Sequence, residues 1–172
     1  MIKGGNKVGR RNYLIEGVSC SGKTSVATEL NCRGYQAIHG DRVLAYQGDP
    51  QTGQPLEGSC HQHHIWDINK LRAYAEDQRQ PVTFFCGGSR NFQQFLHLFD
   101  GVFVLDVSRE TLCRRLDERP ADEFGARAEE RQLILRLHET EEDIPDGMRI
   151  NANVPLHALV DDILSRVQAD FQ

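Results

Sequence analysis

Lysine is scarce in this 172-residue chain. It occurs only as Lys3, Lys7, Lys23 and Lys70, while arginine supplies the other sixteen of the twenty basic residues. Basic residues are also outnumbered: the net charge is -5, which excludes the broad positive surface that neutralises phosphates in a nucleic-acid platform. No apolar run reaches eighteen residues, so no membrane span is expected. Behind the basic N-terminus, Arg10, Arg11 and Asn12 stand where a secretory signal would need an apolar stretch. The five cysteines, Cys20, Cys32, Cys60, Cys86 and Cys113, are odd in number and never spaced C-x-x-C. They read as reduced thiols of a cytoplasmic protein rather than a disulfide framework. No internal repeat of twenty to fifty residues is present. At 39% hydrophobic and 26% charged residues, the composition fits one globular domain spanning 1–172, working as a monomer or homodimer.

What is there alternates between strand and helix patterns. Short apolar runs at 13–16, 35–38, 81–86 and 102–105 read as strands, and 148–150 as a weaker fifth. The run 81–86 is continuous rather than alternating, as expected of a strand buried on both faces. Helical spacing follows the first strand through Val26, Ala27 and Leu30, and the last through Leu156, Leu159, Val160, Ile163 and Leu164. Repeated βα units predict a three-layer α/β/α fold around a mostly parallel sheet of about five strands. Two polar stretches interrupt the rhythm: a Gly-, Pro- and Gln-rich loop at 47–60 and a shorter break at 120–125 between two arginine-rich helices.

The strongest motif is Gly17-Val18-Ser19-Cys20-Ser21-Gly22-Lys23-Thr24, which matches G-x-x-x-x-G-K-[ST] directly after a strand and at the start of a helix. Gly17 and Gly22 permit backbone angles and close approaches that a Cβ forbids, so successive N–H groups can surround a phosphate at the positive helix end. Ser19, Cys20, Ser21 and Ser25 belong to the same nucleotide-binding loop. Lys23 reaches the β- and γ-phosphates as a point charge, and Thr24 offers its hydroxyl to Mg²⁺. Cys20 reads either as a small filler or as a thiol whose pKa the helix terminus lowers.

Beyond this loop the chain resembles the P-loop small-molecule kinases, including adenylate, shikimate and gluconate kinases. His39-Gly40-Asp41-Arg42-Val43-Leu44 is similar to the segment where these enzymes place their acceptor. Cys86-Gly87-Gly88-Ser89-Arg90 resembles their glycine-rich turn after the third strand, and 102–107 followed by Leu112, Arg115, Leu116 and Arg119 resembles the strand and helix leading to their lid. Asn151-Ala152-Asn153-Val154-Pro155 resembles their adenine-side loop. The resemblance covers nearly the whole chain in order and implies an acceptor-binding insertion at about 42–80 and a lid at about 119–128. It departs from the pattern at Cys86, where nucleotide kinases carry an aspartate, and at His39, where shikimate and gluconate kinases tend to have a carboxylate.

The resemblance implies ATP and Mg²⁺ as cofactors and a small-molecule acceptor, with a nucleoside or nucleoside monophosphate first and a hydroxylated metabolite or antibiotic second. In that frame Asp41 orients or deprotonates the acceptor and stands in the second shell of the metal, and its alternative is a helix N-cap. Arg90 forks onto the acceptor or is a surface residue. Arg115 and Arg119, four apart, meet the triphosphate or the adenine, and Arg119 and Arg127 with Arg90 neutralise developing charge. Asn153 and Pro155 flank the base. Asp106 is structural or, less directly, a metal carboxylate. The cluster Cys60-His61-Gln62-His63-His64 is open to three readings: a zinc site, an acceptor pocket at the start of a helix, or plain helix surface. A non-catalytic ATP-binding module or slow ATPase remains the rival class; no N-K-x-D base reader of a GTPase switch is present.

Overall fold

A computed structural model describes residues 10–77 and 79–171; the N-terminal basic segment with Lys3 and Lys7 lies outside the described residues. Five parallel strands form the central sheet: β1 (Arg11–Glu16), β2 (Gln36–His39), β5 (Val82–Cys86), β6 (Gly101–Asp106) and β7 (Met148–Asn151), in the order β2-β5-β1-β6-β7. A separate antiparallel pair, β3 (Ala45–Gln47) and β4 (His64–Trp66), lies between β2 and β5 in the chain. The helices are α1 (Lys23–Cys32), α2 (Gly40–Val43), α3 (Ile68–Glu76), α4 (Arg109–Asp117), α5 (Ala128–Thr140) and α6 (Leu156–Ala169).

Both faces of the sheet are covered, which explains the unbroken apolar runs in the sequence. Tyr13, Ile15 and Phe84 point into one core with Val26, Leu30, Leu112, Ile134, Val160 and Ile163 from α1, α4, α5 and α6. Their neighbours Leu14 and Phe85 point the opposite way, onto Leu44, Trp66, Leu71 and Phe95. The period-two alternation thus sorts one strand into two cores, giving the expected three layers. In the inner layer β1 pairs with β5 from Arg11↔Val82 to Ile15↔Cys86, so the C-terminal ends of β1, β5 and β2 open together on one edge. That edge is where an open parallel sheet offers its loops to a ligand.

The segment around the histidines departs from expectation. His64–Trp66 is a strand and not the start of a helix, and His61–His63 is a single 3₁₀ turn. The helix begins only at Ile68, because the Asp67 carboxylate accepts hydrogen bonds from Asn69 N at 3.0 Å and Lys70 N at 3.1 Å and so caps it. β4 is too short to hold itself in place. Trp66 N donates to Ser89 Oγ and Asn91 Oδ1, while Asn91 Nδ2 returns a bond to Trp66 O, so two buried polar side chains after β5 satisfy its free edge.

Candidate active site

The nucleotide-type loop adopts the geometry its motif demands. Gly17 has φ 152°, and a Cβ there would lie 2.6 Å from Ser21 Oγ. The Ser21 hydroxyl is itself buried and lacks a partner among the described residues. Gly22 stands at the N-cap of α1, and no acidic residue occupies that helix's first turn, so its positive end is left for an anion. Lys23 folds back over the loop, donating to Gly17 O and Val18 O. Its ammonium is pushed below the usual lysine range by burial, against the opposing pull of Glu16 and Asp41. Arg115 clamps the loop from behind through Cys20 O at 3.1 Å and Ser21 O at 2.9 Å, and its other Nη reaches Ala152 O. The Cys20 thiol is pushed up by burial, so the filler reading of this residue fits and an activated thiolate does not.

Two cavities open along the C-terminal edge of the sheet. One, of about 460 Å³, runs over the loop residues Ser19 to Ser25 and is closed by Arg115, Arg119, Pro120, Val154 and Leu156. The other, of about 390 Å³, lies on the opposite side of Lys23, between Gly88, Arg90, His61, Phe124 and Asp143. Ser19, Lys23, Asp41 and Arg119 line both.

Asp41 occupies this junction on the first turn of α2, whose N-cap is His39, so the N-cap alternative for Asp41 does not hold. Its Oδ1 accepts from His64 Nε2 at 3.1 Å, Trp66 Nε1 at 3.3 Å and Gly88 N at 3.3 Å. Burial works to raise its pKa, but the His64 bond, the Lys23 charge and the Trp66 bond together hold it below the ordinary carboxylate value. Gly87 is part of the same fit: at φ 152°, a Cβ there would meet the Trp66 ring at 2.7 Å and Asp41 Oδ1 at 2.8 Å. Arg90 has 9% of its side chain exposed and lies 2.5 Å from Asp143, with His61 Nε2 3.1 Å from its guanidinium. The Arg119 Nε donates to Phe124 O and its Nη pairs with Glu123.

Several expected residues sit elsewhere. Arg127 is the N-cap of α5 and lines neither cavity. Asn153 spends its side-chain oxygen on Ser108 N at 2.9 Å, and Pro155 is the N-cap of α6; Val154 between them faces the first cavity. Asp106 lies at the end of β6 with its carbonyl taken by Ala152 N, and it lines neither cavity. His61 and His64 line the second cavity and His63 does not. Among the described residues, no group of three or more His, Cys, Asp or Glu side chains is placed to hold a metal ion.

Three cavity residues carried no sequence signal. Glu16, 1% exposed at the end of β1, lies beneath Gly17 and Gly88, and burial raises its pKa from 4.5 to about 8 despite the nearby charges of Lys23 and Arg90. Phe124 stacks on His61 with centroids 6.2 Å apart, and Asp143 reaches in from the turn after α5.

The α/β sheet thus carries a phosphate-type loop at its C-terminal edge with a second cavity beside it. No protein-family model and no curated protein sequence matches the chain. Solved structures do. A gluconokinase from Sinorhizobium meliloti aligns over 94% of this chain and 95% of its own at TM-score 0.56 and 22% identity. A sugar kinase from Janibacter aligns over 93% and 95% at TM-score 0.56, also at 22% identity. A deoxyadenosine kinase from M. mycoides covers 91% of this chain and 99% of its own, with TM-score 0.50 and 14% identity. The fold is therefore the one found in P-loop small-molecule kinases.

Proposed function

We propose that the protein transfers the γ-phosphoryl group of ATP to a hydroxyl of a small molecule, with a nucleoside as the first choice of acceptor. The observation that carries this reading is the meeting of two cavities at Lys23 and Asp41. A slow ATPase has no need of the second one. ATP would lie over the loop 17–25 with its phosphates against the backbone amides and Lys23, and Arg115 would keep that loop in shape. The exposed Thr24 hydroxyl and the Asp41 carboxylate face the same cavity, and this pair of hard oxygens fits Mg²⁺. When bound, Mg²⁺ would neutralise charge on the phosphates. Asp41 takes the acceptor proton as the new P–O bond forms and ADP leaves, and Arg119 lies beside the transferred group.

The arrangement favours a hydroxyl over a phosphate acceptor, since Arg42 is exposed and lines neither cavity. Phe124, Ile134, Leu137 and Ile144 provide an apolar wall suited to a planar base. The polar residues Gln47, Ser59 and His64 suit a sugar-like metabolite as the second reading. ATP turnover measured against nucleosides, nucleoside monophosphates, sugars and sugar acids tests the proposal. Acceptor-stimulated ADP release is expected; hydrolysis at the same rate with every compound means an ATPase, and binding without turnover means a module. Arg115→Ala is expected to weaken ATP binding about tenfold by releasing three carbonyl contacts, each worth roughly 0.5–1.5 kcal/mol, as read by calorimetry.

A further inference from the structure

The second cavity contains more ionisable side chains than a hydroxyl transfer requires. Lys23, Arg90 and Arg119 are matched there by Asp41, Glu130 and Asp143, with Glu16 beneath them. Lys23 and Asp41 belong to the junction, Arg119 is paired with Glu123, and the Glu130 carboxylate accepts from Gly125 N at 2.9 Å. That leaves Arg90 and Asp143 as the pair that sets the charge of the inner wall.

Asp143 is built into this position. Its turn follows Glu141, which adopts a left-handed φ of 53° and forks onto both Nη atoms of Arg149 at 2.6 Å. Ile144 N closes the turn on Glu141 O at 3.0 Å. From there Asp143 Oδ2 meets Arg90 at 2.5 Å and His61 Nε2 at 3.0 Å. Burial would raise the Asp143 carboxyl, but His61 and Arg90 outweigh it and hold the group ionised. An arginine with 9% of its side chain exposed and no carboxylate would be a strong anion receptor; Asp143 lies against its Nη1 and offsets that charge, while the buried Nε has no partner among the described residues.

We infer that Asp143 is a specificity-determining residue that neutralises Arg90 and makes the acceptor pocket select uncharged molecules over anions of the same size. This deepens the phosphotransfer reading and rests on it for the word acceptor. A second carboxylate or phosphate reaching Arg90 would stand beside the ionised Asp143 and face a like charge. ATP adds to the exclusion, because its phosphates occupy Lys23 and bring negative charge to the open side.

Two experiments test the inference. In the first, the protein and Asp143→Asn are saturated with a non-hydrolysable ATP analogue and titrated with isotope-labelled acetate, following the acetate signal by NMR. The variant is expected to bind acetate at least about tenfold tighter, and adding Arg90→Gln is expected to abolish that gain. Equal affinity in both proteins, or a gain that survives Arg90→Gln, overturns the inference. In the second, turnover is compared within matched pairs that keep the reacting hydroxyl: thymidine with thymidine 3′-monophosphate, and gluconamide with gluconate. The unsubstituted protein is expected to favour the neutral member at least about tenfold in kcat/KM, and Asp143→Asn to shrink that ratio. A preference for the anion, or a ratio unmoved by Asp143→Asn, overturns it. Turnover of no compound alongside the expected acetate result removes the phosphotransfer reading and leaves the charge selection standing.

Discussion

Asp41→Asn is expected to lower the kcat of acceptor phosphorylation about 10²- to 10⁴-fold, the span typical of losing a positioned general base. ATP affinity measured without Mg²⁺ changes by less than about threefold, because the phosphates are then held by the loop amides and Lys23, while Mg²⁺-dependent affinity falls further with the loss of one of the two oxygens suited to the ion. The substitution isolates the charge. An asparagine oxygen at the same place still accepts from Trp66 Nε1, Gly88 N and His64 Nε2, all of which converge on Asp41 Oδ1, so the α2 turn keeps its anchor. What disappears is the ability to take a proton from the acceptor. Steady-state kinetics with the best acceptor, together with a melting curve to show that the variant is folded, checks this. A kcat within threefold of the unsubstituted protein would leave Asp41 as a structural anchor tying α2 to His64, Trp66 and Gly88 and move the search for the base to His64.

The rate effect has a structural counterpart in Trp66. It is 1% exposed and stacked on Phe95 at 5.5 Å, which ties the second core to the Asp41 carboxylate through a single indole N–H. The glycine of the turn after β5 and the indole of β4 are therefore a matched pair, and this side of the second cavity is set by packing between elements distant in the chain.

This is also why part of the site was unreadable in the sequence. The P-loop was legible because all its requirements are local: two glycines, a lysine and a threonine within eight residues, after a strand and before a helix. The five parallel strands were legible because burial on both faces leaves unbroken apolar runs. The β3–β4 pair was not, since three-residue strands carry no period and β4 is held by Ser89 and Asn91 from more than twenty positions away. Asp143 looked like one more acid in the run Glu141-Glu142-Asp143, and only its approach to Arg90 sets it apart. Arg127 shows the opposite failure. The resemblance implied that it neutralises developing charge, but it sits at the N-cap of α5 and lines neither cavity.

Glu16 was hidden most completely, since a single acid closing an apolar strand looks like the strand's exit to water, and its largest effect is on pH dependence. The folded protein keeps this carboxyl protonated up to about pH 8, because burial penalises the anion more than Lys23 and Arg90 favour it and Asp41 repels it. The unfolded chain releases the proton near 4.5. The folded pKa is the raised one, so the contribution to stability is complete below pH 4.5, falls as pH rises through that window, and is lost above about 8. Integrated over the window, the loss is on the order of 5 kcal/mol. Glu16→Gln keeps the shape and the hydrogen bond from Gly17 N and has no proton to lose. The two proteins should therefore have similar denaturant midpoints near pH 5 and diverge steadily toward pH 8, with the glutamine variant the more stable above it. ATP binding should follow the same course, because an ionised Glu16 beneath Gly17 repels the phosphates and competes for Lys23; affinity should drop above pH 8 in the unsubstituted protein and less so in Glu16→Gln. Parallel stability curves for the two proteins from pH 5 to 9 would show that the carboxyl is already ionised at neutral pH, and that Lys23 is paired with Glu16 before any nucleotide arrives.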